Sequence, residues 1–69
     1  MITTVIRHIS GKDLWYGDLP PIPKGHRINV DGWVGGMKVM DSAISVGGLY
    51  PTDSGYRVAQ LVVVESAGD

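Results

Sequence analysis

Few residues in this 69-residue sequence could take part in acid–base or metal chemistry. His8 and His26 are the two histidines, and the sequence contains no cysteine. A zinc site needs three or four convergent His, Cys or carboxylate ligands with characteristic spacings. Because the two histidines stand far apart, in different predicted elements, we expect no metal site and no cofactor.

Motifs for nucleophilic catalysis and phosphate binding are missing as well. A serine nucleophile needs His and Asp partners, and no serine here stands in a Gly-x-Ser-x-Gly pattern. The aspartates are interpreted as turn residues, whose side chains bond to the nearby backbone. Gly35-Gly36 and Gly47-Gly48 precede strand-like sequence, whereas a phosphate loop leads into a helix N-terminus. We therefore expect that the protein is not an enzyme.

Aromatic and basic side chains are better candidates, and they indicate binding rather than catalysis. The predicted binding site consists of six residues around the proline-rich segment 19–23: Trp15, Tyr16, Lys24, His26, Arg27 and Trp33. Tyr and Trp often anchor protein interfaces, so we assign them that role. The three basic residues are expected to add charged contacts to the same partner.

The charge balance favours a protein partner over nucleic acid or membrane. Six Lys and Arg oppose seven Asp and Glu, for a net charge of −1, and the basic residues are scattered. A protein that contacts several phosphates normally has a basic face. No segment approaches the roughly 18–20 apolar residues that span a bilayer. The N-terminus lacks a signal-peptide pattern, so we expect a cytoplasmic protein.

The composition predicts an all-β fold. Val and Ile together number 15 against 4 Leu, and β-branched residues pack well on a pleated sheet. A chain this short buries a small core, and without cysteine it has no disulfides. A partner or a second subunit would supplement that core, so we expect a homodimer or a larger oligomer.

Residue patterns place the expected strands and turns. Residues 2–9 and 14–16 form a predicted hairpin, and the proline segment that follows is too poor in N–H donors for a central strand. Further strands are predicted at 27–30, 37–46 and 56–65, with a tight turn at Asp31-Gly32 and a bulge near 41–42. The last strand is apolar on both faces, which is typical of a central strand or a subunit contact. We expect a five- or six-stranded antiparallel barrel, SH3-like or OB-like, over residues 1–65, followed by a flexible tail at 66–69.

The segment Leu19–Gly32 resembles a pattern in short, mostly uncharacterised bacterial and bacteriophage proteins. In that pattern an extended Leu-Pro and a further Pro precede a Gly, a Val/Ile strand and a turn. A Val-rich terminal strand follows, matched here by Leu61 to Val64, while His26 stands where the pattern often has an acidic residue. The resemblance implies a small SH3-like barrel and an origin in a mobile element. It implies no activity and no site residues.

These observations predict a non-enzymatic protein-binding module. The analogy with phage-encoded proteins of this size suggests an accessory or inhibitory protein that acts on a host protein. Two alternatives stay open. One is a small barrel that binds single-stranded nucleic acid, and the other is a structural β protein of a virion or an assembly.

Overall fold

A computed structural model describes residues 1–29 and 36–66 of the chain. Within these residues the ordered elements are all strands, which confirms the all-β prediction. The strands are β1 (Ile2–His8), β2 (Asp13–Leu19), β3 (Arg27–Ile28), β4 (Met37–Ile44), β5 (Tyr50–Pro51), β6 (Arg57–Val58) and β7 (Gln60–Ser66). The predicted turn at Asp31-Gly32 lies outside the described residues, and so do residues 67–69 of the predicted tail. Ser66, assigned to that tail, is the last residue of β7.

Five strands form one curled, half-barrel sheet in the order β2-β1-β7-β4-β3. Its pairs are antiparallel except β1 and β7, which run parallel. The expectation of antiparallel pairing throughout is therefore wrong for the central pair. Strands that are buried on both faces suit parallel pairing, and β7 combines buried Val62 and Val64 with half-buried Leu61 and Val63. Of the two positions predicted for the last strand, central in the sheet or at a subunit contact, the structure has the central one.

The core lies on the concave face of this sheet. Ile6 of β1 faces Val62 of β7 in register, and Met37, Val39 and Val64 complete the buried cluster. Side chains from the periphery close over this cluster: Leu14, Trp15, Leu19, Ile22 and Ile28. The core therefore combines the inward residues of the central strands with apolar residues from both edges of the sheet.

Two β-bulges bend the sheet around this core. In β4 the register shifts between Val39 and Asp41, so Met40 is the extra residue, next to the predicted position. In β2 the extra residue is Leu14, because Ile6 pairs with Trp15 whereas Arg7 pairs with Asp13. A bulge sets two residues of one strand against one of its partner and increases the local twist. It lets both Leu14 and Trp15 pack against the core.

The proline segment is attached to the sheet by one fully buried side chain, that of Gln60. Its Oε1 accepts a hydrogen bond from the Ile22 N–H at 2.8 Å. Its Nε2 donates to the Pro20 carbonyl at 3.1 Å and to the Thr4 hydroxyl at 2.9 Å. Proline has no N–H, so this segment could not join a sheet through a regular ladder. The Gln60 amide supplies the partner groups that a neighbouring strand would have offered.

A small hairpin of β5 and β6 covers the opposite face of β1. Successive residues of a strand point to opposite faces, and both Val5 and Ile6 are buried. Ile6 belongs to the main cluster, whereas Val5 lies on the side where β6 packs against β1. The strand predicted at 56–65 is divided into β6 and β7, and β5 lies in a stretch for which no strand was predicted. Strand pairing is interrupted at Ala59, whose N–H donates to the Thr3 carbonyl at 3.0 Å.

We expect Gln60→Met, a change of similar size, to lower the free energy of unfolding by about 3 kcal/mol. The Ile22 N–H and the Pro20 carbonyl lose their partner, and an unpaired buried polar group costs about 1–3 kcal/mol. Urea denaturation measures the difference. The matched control Thr4→Val removes one of the three partners and should cost about 1 kcal/mol. Equal stabilities of the wild type and Gln60→Met would contradict this role of Gln60.

Candidate functional site

The structure does not bring the predicted site residues onto one surface. Trp15 and Tyr16 lie on β2 at one edge of the five-stranded sheet. Lys24, His26 and Arg27 lie at or next to β3, which is the opposite edge. Trp33 lies outside the described residues. The proline segment joins the two edges along the chain, and closeness in sequence to this segment is not closeness in space.

Trp15 belongs to the core rather than to a binding surface. Its half-buried indole packs against the buried cluster and lies over Gly17, two residues further on the same face. A Cβ at position 17 would overlap the six-membered ring of Trp15. Gly17 therefore leaves the space in which the indole lies flat on the sheet.

Tyr16 points to the other face and lines an open groove of about 200 Å³. One wall comes from β1 and β2 and includes Thr3, Tyr16 and Asp18. The second wall consists of Tyr56, Arg57 and Val58, at the β6 side of the small hairpin. Tyr16 is 41% exposed and Tyr56 is 71% exposed. The groove thus has an aromatic side chain in each wall, with a carboxylate on one side and a guanidinium on the other.

Both walls of the groove are held by the carboxylate of Asp13, whose side chain is 3% exposed. Its Oδ2 accepts a hydrogen bond from the Tyr16 hydroxyl and another from the Asp53 N–H, each at 2.8 Å. Its Oδ1 accepts from Nε of Arg7 at 2.6 Å, and Nη2 of Arg7 donates to the Pro51 carbonyl at 2.8 Å. One ion pair therefore joins the bulge of β2 to the turn and the first strand of the hairpin.

The environment of Asp13 favours its ionised form. Burial works to raise the pKa of this carboxyl, but it is outweighed by the hydrogen bonds from Arg7, the Asp53 N–H and Tyr16, together with the Arg7 charge. The net effect is a pKa below the ordinary value of 3.8. Asp13 is accordingly a charged structural group that orients the groove.

A second group of residues comes together at the β3 edge. The register places Arg27 directly opposite Lys38 of β4, and Lys24 and His26 lie in the turn that precedes β3. The Gly25 N–H donates to the Val39 carbonyl at 2.9 Å, and the Val39 N–H donates to the His26 carbonyl at 2.8 Å. These bonds align the turn with β4. We call the four exposed side chains of Lys24, His26, Arg27 and Lys38 the basic edge.

The predicted site did not include Tyr56, Arg57, Asp13 and Lys38. Their roles depend on pairings between distant residues, such as Asp13 with Asp53 and Tyr16 with the β6 wall. One local signal was available for Lys38. Strands predicted on either side of the Asp31-Gly32 turn would form a hairpin, and counting back from that turn sets Arg27 opposite Gly36, two residues from Lys38.

The histidines have no common site in the structure. Nδ1 of His8 lies 2.9 Å from the Ser10 hydroxyl and accepts a hydrogen bond from the Ser10 N–H at 3.1 Å, within the β1–β2 turn. His26 is exposed next to β3. Over residues 1–29 and 36–66, no three His, Asp or Glu side chains converge in a way that could hold a metal ion. The same residues include no helix that is long and apolar enough to cross a membrane.

Stability should depend on pH through Asp13. A folded-state pKa below that of the unfolded chain means that the ionised carboxylate stabilises the fold above about pH 4. That stabilisation is lost as the pH falls through the folded pKa. We expect Asp13→Asn to cost about 2 kcal/mol near neutral pH and much less in acid. Urea denaturation between about pH 2.5 and 7 measures both curves.

Asp53→Asn is the matched control for Asp13→Asn, because it keeps the backbone N–H that Asp13 accepts. Its stability curve should follow that of the wild type. A constant difference between Asp13→Asn and the wild type at every pH would contradict the assignment.

Comparisons with known proteins do not assign this chain. No protein-family model, no curated protein and no solved structure matches it. The resemblance of residues 19–32 to small phage and bacterial barrels therefore stays a prediction from sequence.

Proposed function

We propose that this protein is a non-enzymatic protein-binding module, and that its groove and the edge of β2 take an extended peptide segment of a partner. The observation that carries the proposal is the aromatic groove beside an open edge strand. β2 is the first strand in the order of the sheet, and no described strand pairs with its outer side. An extended peptide that adds to such an edge gains backbone hydrogen bonds, and its alternate side chains face one side of the sheet.

The groove supplies the side-chain recognition that an open edge lacks. Its walls contain Tyr16, Tyr56 and Arg57, which are of the types that most often carry the energy of protein interfaces. A peptide side chain that enters between the two rings would be apolar or aromatic. Asp18 and Arg57 on the walls favour a peptide with groups of both charges near that side chain.

The groove is organised before a partner arrives. The hydrogen bond from the Tyr16 hydroxyl to Asp13 orients one ring, and the Asp53 N–H bond to the same carboxylate holds the hairpin that provides the other. A preformed site loses less conformational entropy on binding, which benefits affinity. The two walls are thus kept at a spacing set by the fold.

The wider role we propose is that of an accessory or inhibitory protein of a phage or mobile element, acting on a host protein in the cytoplasm. The support is the resemblance of residues 19–32 to short proteins of that kind. The groove adds a physical surface through which such a protein could hold its target.

We expect peptides selected from a displayed random library to bind the wild type and to lose at least tenfold in affinity with Tyr56→Ala. Loss of one interface anchor costs about 2 kcal/mol or more, which is roughly thirtyfold. Isothermal titration with a synthesised winning peptide measures the change. Hydrogen exchange should show added protection of β2 amides in the complex.

Lys24→Ala is the control for the groove, since Lys24 is exposed at the opposite edge of the sheet. Its affinity for the selected peptide should equal that of the wild type. A library that yields no binders, or binders that are indifferent to Tyr56→Ala, would refute the groove as a peptide site.

We propose self-association as a second function. It is supported by a surface away from the groove, the segment 42–52. The segment 42–52 has no charged residue, and its turn presents Val46 and Leu49 at 95% and 61% exposure, next to exposed Ile44. Clustered exposed aliphatic residues are unusual on a monomeric protein. Two copies of an uncharged segment can meet without like-charge repulsion between their own side chains. A homodimer in contact through this segment would supplement the small core.

We expect Val46→Asp to shift the chain toward the monomer, because two copies of the introduced carboxylate would face each other across a two-fold contact. Sedimentation velocity over a range of protein concentrations measures the effect. Lys12→Asp, which places the same side chain in the β1–β2 turn, should behave as the wild type. A wild type that is monomeric at the highest concentration would disprove the contact.

A further inference from the structure

In the basic edge, two positively charged side chains face each other across a strand pair, an arrangement that does not stabilise the fold. Arg27 and Lys38 are directly opposed across the β3–β4 pair, and both are exposed. Like charges in this position destabilise a sheet. Lys24 and His26 come alongside them through the backbone bonds of Gly25 and Val39. Arg27 and Lys38 therefore share one face at this edge of the sheet, and Lys24 and His26 lie in the adjoining turn.

The described carboxylates near this surface lie toward the middle of the sheet, and none of them is within salt-bridge distance of it. In the described parts of the chain, the one ion pair within salt-bridge distance is that of Arg7 and Asp13. Glu65 of β7 is the register partner of Lys38 on its inner side, and Asp41 lies further along β4. Both lie toward the middle of the sheet, whereas β3 is its edge strand. An anion would therefore approach from the β3 side.

We infer that the basic edge binds the phosphate backbone of a single-stranded nucleic acid, a function separate from peptide binding in the groove. Arg and Lys are the usual phosphate-binding side chains, and the guanidinium group matches phosphate in a bidentate way. The four side chains are exposed, which suits contacts with a repeating backbone. Such contacts are independent of base sequence. The bound strand would relieve the repulsion between Arg27 and Lys38.

The test is fluorescence anisotropy with a labelled oligothymidylate of about twelve nucleotides, a length within the site sizes of small barrels. Affinity is measured between about 50 and 200 mM salt. Three phosphate contacts predict a slope of about −2 for log affinity against log salt. Arg27→Gln and Lys38→Gln should each weaken binding and reduce the magnitude of the slope by about 0.7. Arg27→Gln should be no less stable than the wild type, because it removes a like-charge contact, whereas Lys38→Gln removes that contact and also the opposite charge facing Glu65.

Lys12→Gln is the matched control, since it removes the same charge from an exposed turn next to β2. It should keep the affinity and the slope of the wild type. The inference is overturned if the oligonucleotide does not bind at the lowest salt, or if Lys12→Gln loses as much as Lys38→Gln. It is also overturned if an oligoglutamate of equal charge competes as well as unlabelled oligothymidylate, because the site would then accept an acidic polypeptide.

Discussion

The buried amide of Gln60 is the interaction on which the closure of the core depends. A chain of 69 residues without cysteine has few ways to hold an irregular segment against its sheet. Prolines at 20, 21 and 23 cannot donate hydrogen bonds, and the Ile22 N–H between them is directed at Gln60 Oε1. The same amide donates to Pro20 and to Thr4 of β1. The two central strands and the proline segment are thereby joined at one point, which lets Leu19 and Ile22 cover the core.

The Asp13 carboxylate has the corresponding role on the other face. The bulge at Leu14 sets Asp13 opposite Arg7, and the ion pair then reaches the hairpin through Pro51 and Asp53. A two-stranded hairpin of two-residue strands has little stability of its own. Its attachment to β1 and β2 makes it a second layer that buries Val5 and forms a wall of the groove. The polar network that stabilises this layer also orients Tyr16, so stability and binding geometry have a common origin.

Much of the fold could be predicted from local patterns. Alternation and β-branched composition located β1, β4 and β7, and the apolar residues at both parities of β7 indicated its central position. The candidate site could not be predicted from local patterns in the same way. The predicted site combined Trp15 and Tyr16 with Lys24, His26 and Arg27, because all of them flank the prolines. The proline segment, however, runs from one edge of the sheet to the other. Trp15 is directed into the core because Gly17 leaves room for its ring. Tyr56 and Arg57 belong to a hairpin whose strands are too short to show the apolar–polar alternation that identifies a strand in a sequence.

By itself, the sequence determined the all-β class, the approximate positions of the longer strands and the exclusion of the proline segment from the central strands. These follow from side-chain branching, alternation and the missing N–H groups, which are properties of neighbouring residues. Tertiary structure alone decided the parallel pairing of β1 with β7, the union of Tyr16 with Tyr56 in one groove and the juxtaposition of Arg27 with Lys38. The reason is physical. Strand order and register are chosen by which faces can be buried together, and that choice depends on residues far apart in the chain.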